Sequence, residues 1–180
     1  MNPYIIVAIA VIVFLVVYYI KNYNKFRAMS EQIDQEKSGI DVALSTRFDT
    51  VTQMQNVIKG VMKHESETLV KINAVRSGMS IDEMNEAEKQ MGQAVRQFYA
   101  VAESNPQLRA TENFTLLQRA ISECEDNLQA ARRAYNASVG TFNKNIAMFP
   151  ANIVAATMSL EKAKFFEAEP HKRELVDISF

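Results

Sequence analysis

FTLLQRAISECEDNLQAARRAYNASVGTFNKNIAMF, residues 114–149, sets an apolar side chain at every third or fourth position. The stripe is Phe114, Leu117, Ile121, Cys124, Leu128, Ala131, Tyr135, Val139, Phe142, Ile146 and Phe149, with one slip between Tyr135 and Val139. Spacing of three and four sustained for about five heptads is the mark of a long helix that hides one face. Such a helix cannot stand alone, and the flanking sequence supplies partners for it.

Downstream, Pro150 ends the stripe and can open a shorter helix over roughly residues 151–166. Upstream, Ser104-Asn105-Pro106 separates it from a second stripe: Ile81, Met84, Ala87, Met91, Val95, Phe98 and Ala102. That second helix has a written start, because Ser80 followed by Glu83 is a capping box in which each residue satisfies the other's free N–H. Before it, Ser77-Gly78 breaks a first stripe of Ile40, Leu44, Val51, Ile58, Met62, Leu69 and Ile72. Short connections between long helices make neighbours antiparallel. Only five glycines and four prolines punctuate the chain, which suits long helices and not sheets.

Residues 4–20, YIIVAIAVIVFLVVYYI, contain no charge, glycine or proline. At ~1.5 Å per residue they reach roughly 25 Å, near the short end of what crosses a hydrocarbon core of ~30 Å. Tyr4 at one end and Tyr18, Tyr19 and Tyr23 at the other suit the two membrane interfaces. The anchor is carried by Tyr4, Ile5, Ile6, Val7, Phe14, Leu15, Tyr18, Tyr19 and Ile20. A cleaved signal peptide would put basic residues before the apolar run and small residues after it, and neither is present. Lys21, Lys25 and Arg27 all follow the run, so the positive-inside rule sets its N-terminus outside and the rest in the cytoplasm.

The fold expected is therefore all-α: an N-terminal transmembrane helix, then an antiparallel up-down bundle of three long helices and one shorter one. Residues 1–22 form the anchor, 23–168 the bundle and 169–180 an extended tail, whose Val176, Ile178 and Phe180 alternate with polar residues. No proline or glycine intervenes between the anchor and Gly39, so the first bundle helix is expected to continue from the membrane segment.

Chemistry is hard to find in this sequence. The net charge of −1, from 20 basic and 21 acidic residues, offers no field for nucleic acid. The single cysteine, Cys124, falls on an apolar stripe and forms no disulfide framework. His64-Glu65 lacks the second histidine that a zinc peptidase helix needs, since position 68 is Thr68. Di-iron bundles need Glu-x-x-His, but Val61 precedes His64 by three and Ala168 precedes His171 by three. No cofactor, no metal, no nucleic-acid partner and no enzymatic activity are expected. The expected partners are the lipid bilayer and a protein partner or a second copy of the chain.

Polar residues on the apolar stripes are more informative. Arg47 and Glu65 occupy stripe positions in the first helix, where a buried charge must be paired. Asn136 and Asn143 lie seven apart beside the third stripe, in Tyr135-Asn136-x-x-Val139 and Phe142-Asn143-x-x-Ile146, where asparagine can specify register. The basic cluster His171-Lys172-Arg173 in the tail reads as solvated, with contact to anionic lipid as the alternative.

Taken together these elements resemble the LemA family of bacterial membrane proteins. The resemblance rests on Tyr23-Asn24, on Ile40-Asp41-Val42-x-Leu44-x-x-Arg47-x-Asp49, on His64-Glu65 with Leu69 and Val75-Arg76, and on Pro106-x-Leu108-x-Ala110-x-Glu112-Asn113-Phe114. It continues through Ala131-Arg132-x-x-Tyr135-Asn136, Phe142-Asn143-x-x-Ile146-x-x-Phe149-Pro150 and Phe165-Phe166-Glu167 to Val176 and Phe180. It departs where Asp49 is followed by Thr50-Val51-Thr52 and not by a proline element, which implies a straighter first helix. Asn105 also stands where the family has an aromatic residue, and no Gly-Phe pair follows Phe149-Pro150. The resemblance implies a long-helix bundle behind an N-terminal anchor in the bacterial cell membrane, with no assigned activity. A related member's part in magnetosome biogenesis adds, by analogy, a membrane-organising role. Arg47, Asp49, His64, Glu65, Tyr135, Asn136 and Asn143 are the candidate interaction or register residues. A non-enzymatic scaffold or adaptor is the leading expectation, and a membrane-tethered sensor of a ligand or envelope stress is the alternative.

Overall fold

The computed structural model describes residues 3–61, 75–76 and 78–166. Met62, His64, Glu65, Leu69, Ile72 and the tail at 169–180 lie outside the described residues. The helices are α1 (Pro3–Val61), α2 (Ile81–Ser104), α3 (Pro106–Arg109), α4 (Glu112–Ala147) and α5 (Ala151–Thr157), with no strand among the described residues. The anchor and the first bundle helix are thus one helix of 59 residues. It passes unbroken through Thr50-Val51-Thr52, where the Thr50 hydroxyl donates back to the Thr46 carbonyl at 2.9 Å.

Local chemistry accounts for the helix ends. Gly78 takes a φ of +83°, a conformation that suits glycine, in the turn that leads to Ser80. The Ser80 hydroxyl accepts from the Glu83 N–H at 3.3 Å, and the Glu83 carboxylate accepts from the Ser80 N–H at 2.7 Å, completing the capping box. Asn105 closes α2 by donating its side-chain amide to the Val101 carbonyl at 2.9 Å. Pro106 then opens the single turn of α3, which the apolar pattern did not foretell because one turn has no periodicity. Thr111 starts α4 by accepting from the Phe114 N–H at 3.3 Å.

The chain divides into two compact units. The larger, which holds the described residues 37–61, 75–76, 78–134 and 166, packs the C-terminal part of α1 with α2, α3 and the first half of α4. Its α1 face is Ile40, Leu44, Arg47, Val51, Met54 and Ile58, all buried. Facing it are Met84, Ala87, Met91, Val95, Phe98 and Ala102 from α2, with Phe114, Ile121, Cys124 and Leu128 from α4. Each large side chain removed from water contributes about 1.5–3 kcal/mol before entropy is counted. The Thr50 hydroxyl meets the Cys124 thiol at 3.5 Å, so the one cysteine is a buried packing group.

Position 132 corrects the expected α4 stripe. Ala131 is only half-buried while Arg132 is buried, so the stripe runs Leu128, Arg132, Tyr135, Val139 and the slip falls between Leu128 and Arg132, two steps earlier than the apolar pattern implied. An arginine was not read as a seam residue, because charge at that position ordinarily marks a solvated face.

The second unit comprises residues 1–36 and 135–165. Phe26 of α1, Phe142 of α4 and Val154 and Ala155 of α5 form its core, surrounded by Tyr18, Tyr23, Met29, Ile33, Ile146 and Leu160. Here the expectation of a helix over 151–166 is overturned, since α5 ends at Thr157. Ser159 adopts a φ of +52°, its N–H donates to the Ala156 carbonyl at 3.1 Å, and the Leu160 N–H donates to the Ala155 carbonyl at 3.1 Å. Those two bonds are the Schellman helix stop, with Leu160 packing onto the core as its apolar contact. The stop ordinarily carries glycine, and a serine in its place left no signal.

Beyond Leu160 the chain is held against α4 by side chains instead of a ladder. Asn143 donates its amide to the Ala163 carbonyl at 2.9 Å and accepts from the Ala163 N–H at 2.8 Å. The Tyr135 hydroxyl donates to the Lys164 carbonyl at 2.9 Å. Burial, and secondarily the negative charge of Asp34, raise the Tyr135 phenol above its ordinary value of 10.0. Because the folded chain prefers the neutral phenol, its stability is full below about pH 10 and falls as pH rises through the raised folded-state value. Tyr135→Phe is expected to cost about 1 kcal/mol at neutral pH and to flatten the alkaline decline. Urea unfolding of the full chain at a series of pH values measures both; Tyr99, raised by burial alone, leaves a residual decline.

Candidate functional site

The polar residues that interrupt the apolar faces of the larger unit meet one another. Arg47 of α1 reaches Glu125 of α4, Nη2 to Oε2, at 2.8 Å. Its Nη1 lies 3.9 Å from Glu88 Oε1 of α2, an electrostatic contact without a hydrogen bond. Arg132 of α4 donates from Nη2 to the same Glu88 oxygen at 3.1 Å. Arg47, Glu88 and Arg132 are 5%, 2% and 7% exposed, and Glu125 is half-buried. The Arg132 guanidinium also lies over the Phe166 ring, 5.6 Å from its centroid.

Two guanidinium groups and two carboxylates make this cluster neutral. Each charge costs several kcal/mol to bury, and mutual attraction returns that only where geometry is good. Geometry here is incomplete, since Arg47 Nε and Nη1 and Arg132 Nε are buried without hydrogen-bond partners. The Asp41 Oδ1 atom is in the same condition. The cluster therefore adds little net stability, but it makes any other register of α1, α2 and α4 costly by stranding a buried charge. Its carboxylates are engaged by the guanidinium groups, and guanidinium is a poor proton carrier.

Of the residues singled out from sequence, Arg47 sits in this cluster and Asp49 is exposed on α1. Tyr135 and Asn143 grip the chain after α5, and half-buried Asn136 lies beside them on α4. His64 and Glu65 lie outside the described residues. Glu88, Glu125 and Arg132 were missed, although the Ala131-Arg132 pair had been noted; their partners come from other helices and leave no spacing to read. Among the described residues no three His, Cys, Asp or Glu side chains are placed to hold a metal ion.

The smaller unit has a different surface. The side chains of residues 4–17 are all exposed, with Tyr4 at 81% and Phe14 at 67%. Below them Tyr18 and Tyr23 are half-buried, the Tyr19 hydroxyl meets the Thr157 hydroxyl at 3.1 Å, and the Lys25 ammonium donates to Asn145 Oδ1 at 2.6 Å. Lys21, Lys25 and Arg27 are exposed, and Arg27 lies over the Tyr23 ring at 5.5 Å. A crevice of about 400 Å³ opens between Phe14, Leu15, Tyr18 and Tyr19 on α1 and Pro150, Ile153 and Val154 at α5.

These features define an all-helical bundle protein whose N-terminal helix is long and apolar enough to cross a membrane. The chain belongs to the LemA family, whose model matches residues 36–180. It is 29% identical over 170 residues to Protein LemA of Metamycoplasma hominis, covering 89% of this chain and 76% of that one. Magnetosome protein MamQ 2 of Paramagnetospirillum magneticum is 20% identical over 198 residues, covering 92% of this chain and 72% of its own. Magnetosome protein MamQ of Magnetospirillum gryphiswaldense is 23% identical over 84 residues, covering 47% and 31% respectively.

Glu88→Ala leaves Arg132 buried without its carboxylate and is expected to cost about 3–5 kcal/mol. Replacing Arg47, Glu88, Glu125 and Arg132 together by apolar residues of similar volume is expected to be neutral or stabilising, while loosening the register. Denaturant unfolding of the full chain in mild detergent measures the first effect. The second shows as lost dispersion in amide spectra.

Proposed function

We propose that this protein is a non-enzymatic scaffold or adaptor held in the bacterial cell membrane by residues 4–20. The N-terminus then lies outside and the helical bundle on the cytoplasmic side. One observation carries this reading: the apolar side chains of residues 5–17 are exposed around the whole circumference of α1. A helix apolar all round needs apolar surroundings, and a bilayer provides them. Lys21, Lys25 and Arg27 at one end only support the orientation.

Support for the scaffold part comes from where the polar groups are used. The buried charges of the larger unit face one another, and the Tyr135 and Asn143 side chains hold backbone. Used in this way, those groups hold the packing within each unit. The magnetosome names of the MamQ relatives support a role within a larger assembly.

The full chain, cross-linked in intact cells and solubilised, is expected to run as a discrete assembly with itself or with one stoichiometric partner. A monomer without partner after cross-linking would contradict the scaffold. A C-terminal alkaline phosphatase fusion is expected to be inactive and a fluorescent-protein fusion bright. An active phosphatase would reverse the orientation.

A further inference from the structure

The corner between α4 and α5 carries an apolar surface that the fold does not use. Phe149 is 79% exposed, Ile153 58% and Met148 50%. They belong to a stretch, residues 145–160, without a single charged side chain, bounded by Lys144 on one side and by Glu161 and Lys162 on the other. A solvated corner has no reason to present three large apolar residues together and no charge among them.

The position of the corner along α1 is fixed by contacts. Lys25 is hydrogen-bonded to Asn145, so the last turn of α4 lies level with the basic end of the apolar run. At ~1.5 Å per residue, the two residues from Asn145 to the end of α4 at Ala147 climb about 3 Å further toward the run, and the turn at 148–150 follows. Beyond them Pro150, Ile153 and Val154 line the crevice with Phe14, Leu15, Tyr18 and Tyr19 of the run itself. The corner thus lies beside the final turns of the run, and its exposed side chains continue the apolar surface of α1.

Part of its backbone is already satisfied, which matters in an apolar medium, where every unpaired N–H or C=O is costly. The Met148 N–H donates to Asn145, the Asn152 N–H to Met148 at 2.8 Å, and the Ile153 N–H to Pro150 at 3.2 Å. Pro150 has no N–H to satisfy.

We propose that the 148–153 corner is a second membrane contact. It inserts Met148, Phe149 and Ile153 into the leaflet from which α1 emerges, and a lipid acyl chain of that leaflet fills the crevice beside it. This inference rests on the reading of residues 4–20 as a membrane span. The occupant is lipid and not another protein, because the surface is continuous with the apolar run and, against one acidic neighbour, Glu161, four flanking charges are basic: Lys21, Lys25, Lys144 and Lys162. Those four charges suit the anionic headgroups at the level where the corner would enter.

The chain contains no tryptophan, so each introduced one is a single reporter. Full-length Phe149→Trp, Phe14→Trp and Val42→Trp proteins are reconstituted into phosphatidylcholine–phosphatidylglycerol vesicles with and without bromine on the acyl chains. Val42, exposed on α1 in the larger unit, is the control. The expected result is blue-shifted Phe149→Trp emission, quenched by brominated lipid at least half as strongly as that of Phe14→Trp, with Val42→Trp unquenched. Quenching at Phe14→Trp without quenching at Phe149→Trp would overturn the second contact while leaving the span. Blue-shifted but unquenched Phe149→Trp emission would assign the corner to protein and overturn it as well. Absence of quenching at both would remove the span and the corner together. Ile153→Trp carries the same test should circular dichroism show Phe149→Trp unfolded.

Discussion

An apolar helix left exposed on every side is the constraint to which the architecture answers. Residues 5–17 of α1 lie within a continuous helix, but their side chains are exposed. Large aliphatic side chains left in water forfeit about 1.5–3 kcal/mol each, more in sum than a small bundle has to spare. In the proposed reading a bilayer covers them, and the continuity of α1 from Pro3 to Val61 ties the bundle to it without a linker. Phe26 is the first residue along α1 to be fully buried by protein, one position beyond the Lys25 contact with Asn145.

Within the larger unit the organising device is electrostatic and not hydrophobic. Apolar stripes tolerate sliding, because one aliphatic side chain replaces another at modest cost. A guanidinium placed in the stripe does not, since only one register brings Glu125 and Glu88 within reach of Arg47. Unpaired Nε and Nη atoms show that this arrangement gives up stability. What is gained is a single alignment of three helices.

Much of this was legible from the chain because much of it is local. The Ser80–Glu83 box, the Ser104-Asn105-Pro106 break and the α2 stripe are written within a few residues of where they act, and the structure reproduces them. Arg47 was legible as a required pair because it breaks an apolar spacing. Glu88, Glu125 and Arg132 were not, since a charge beside a stripe reads as solvent-facing until the facing helix is known. The end of α5 at Thr157 was hidden because Ser159 stands where a left-handed stop normally shows glycine. The Asn143 grip on Ala163 joins a helix to irregular chain, a pairing with no sequence period at all.

The most direct test of membrane anchoring by α1 is extraction of the full-length protein from cell membranes with alkaline carbonate, which strips peripheral proteins and leaves spanning ones. The wild-type chain is predicted to stay with the membrane pellet, and a Val11→Lys, Val13→Lys double variant to be released. Release of the wild-type chain into the carbonate supernatant would contradict the account at its foundation.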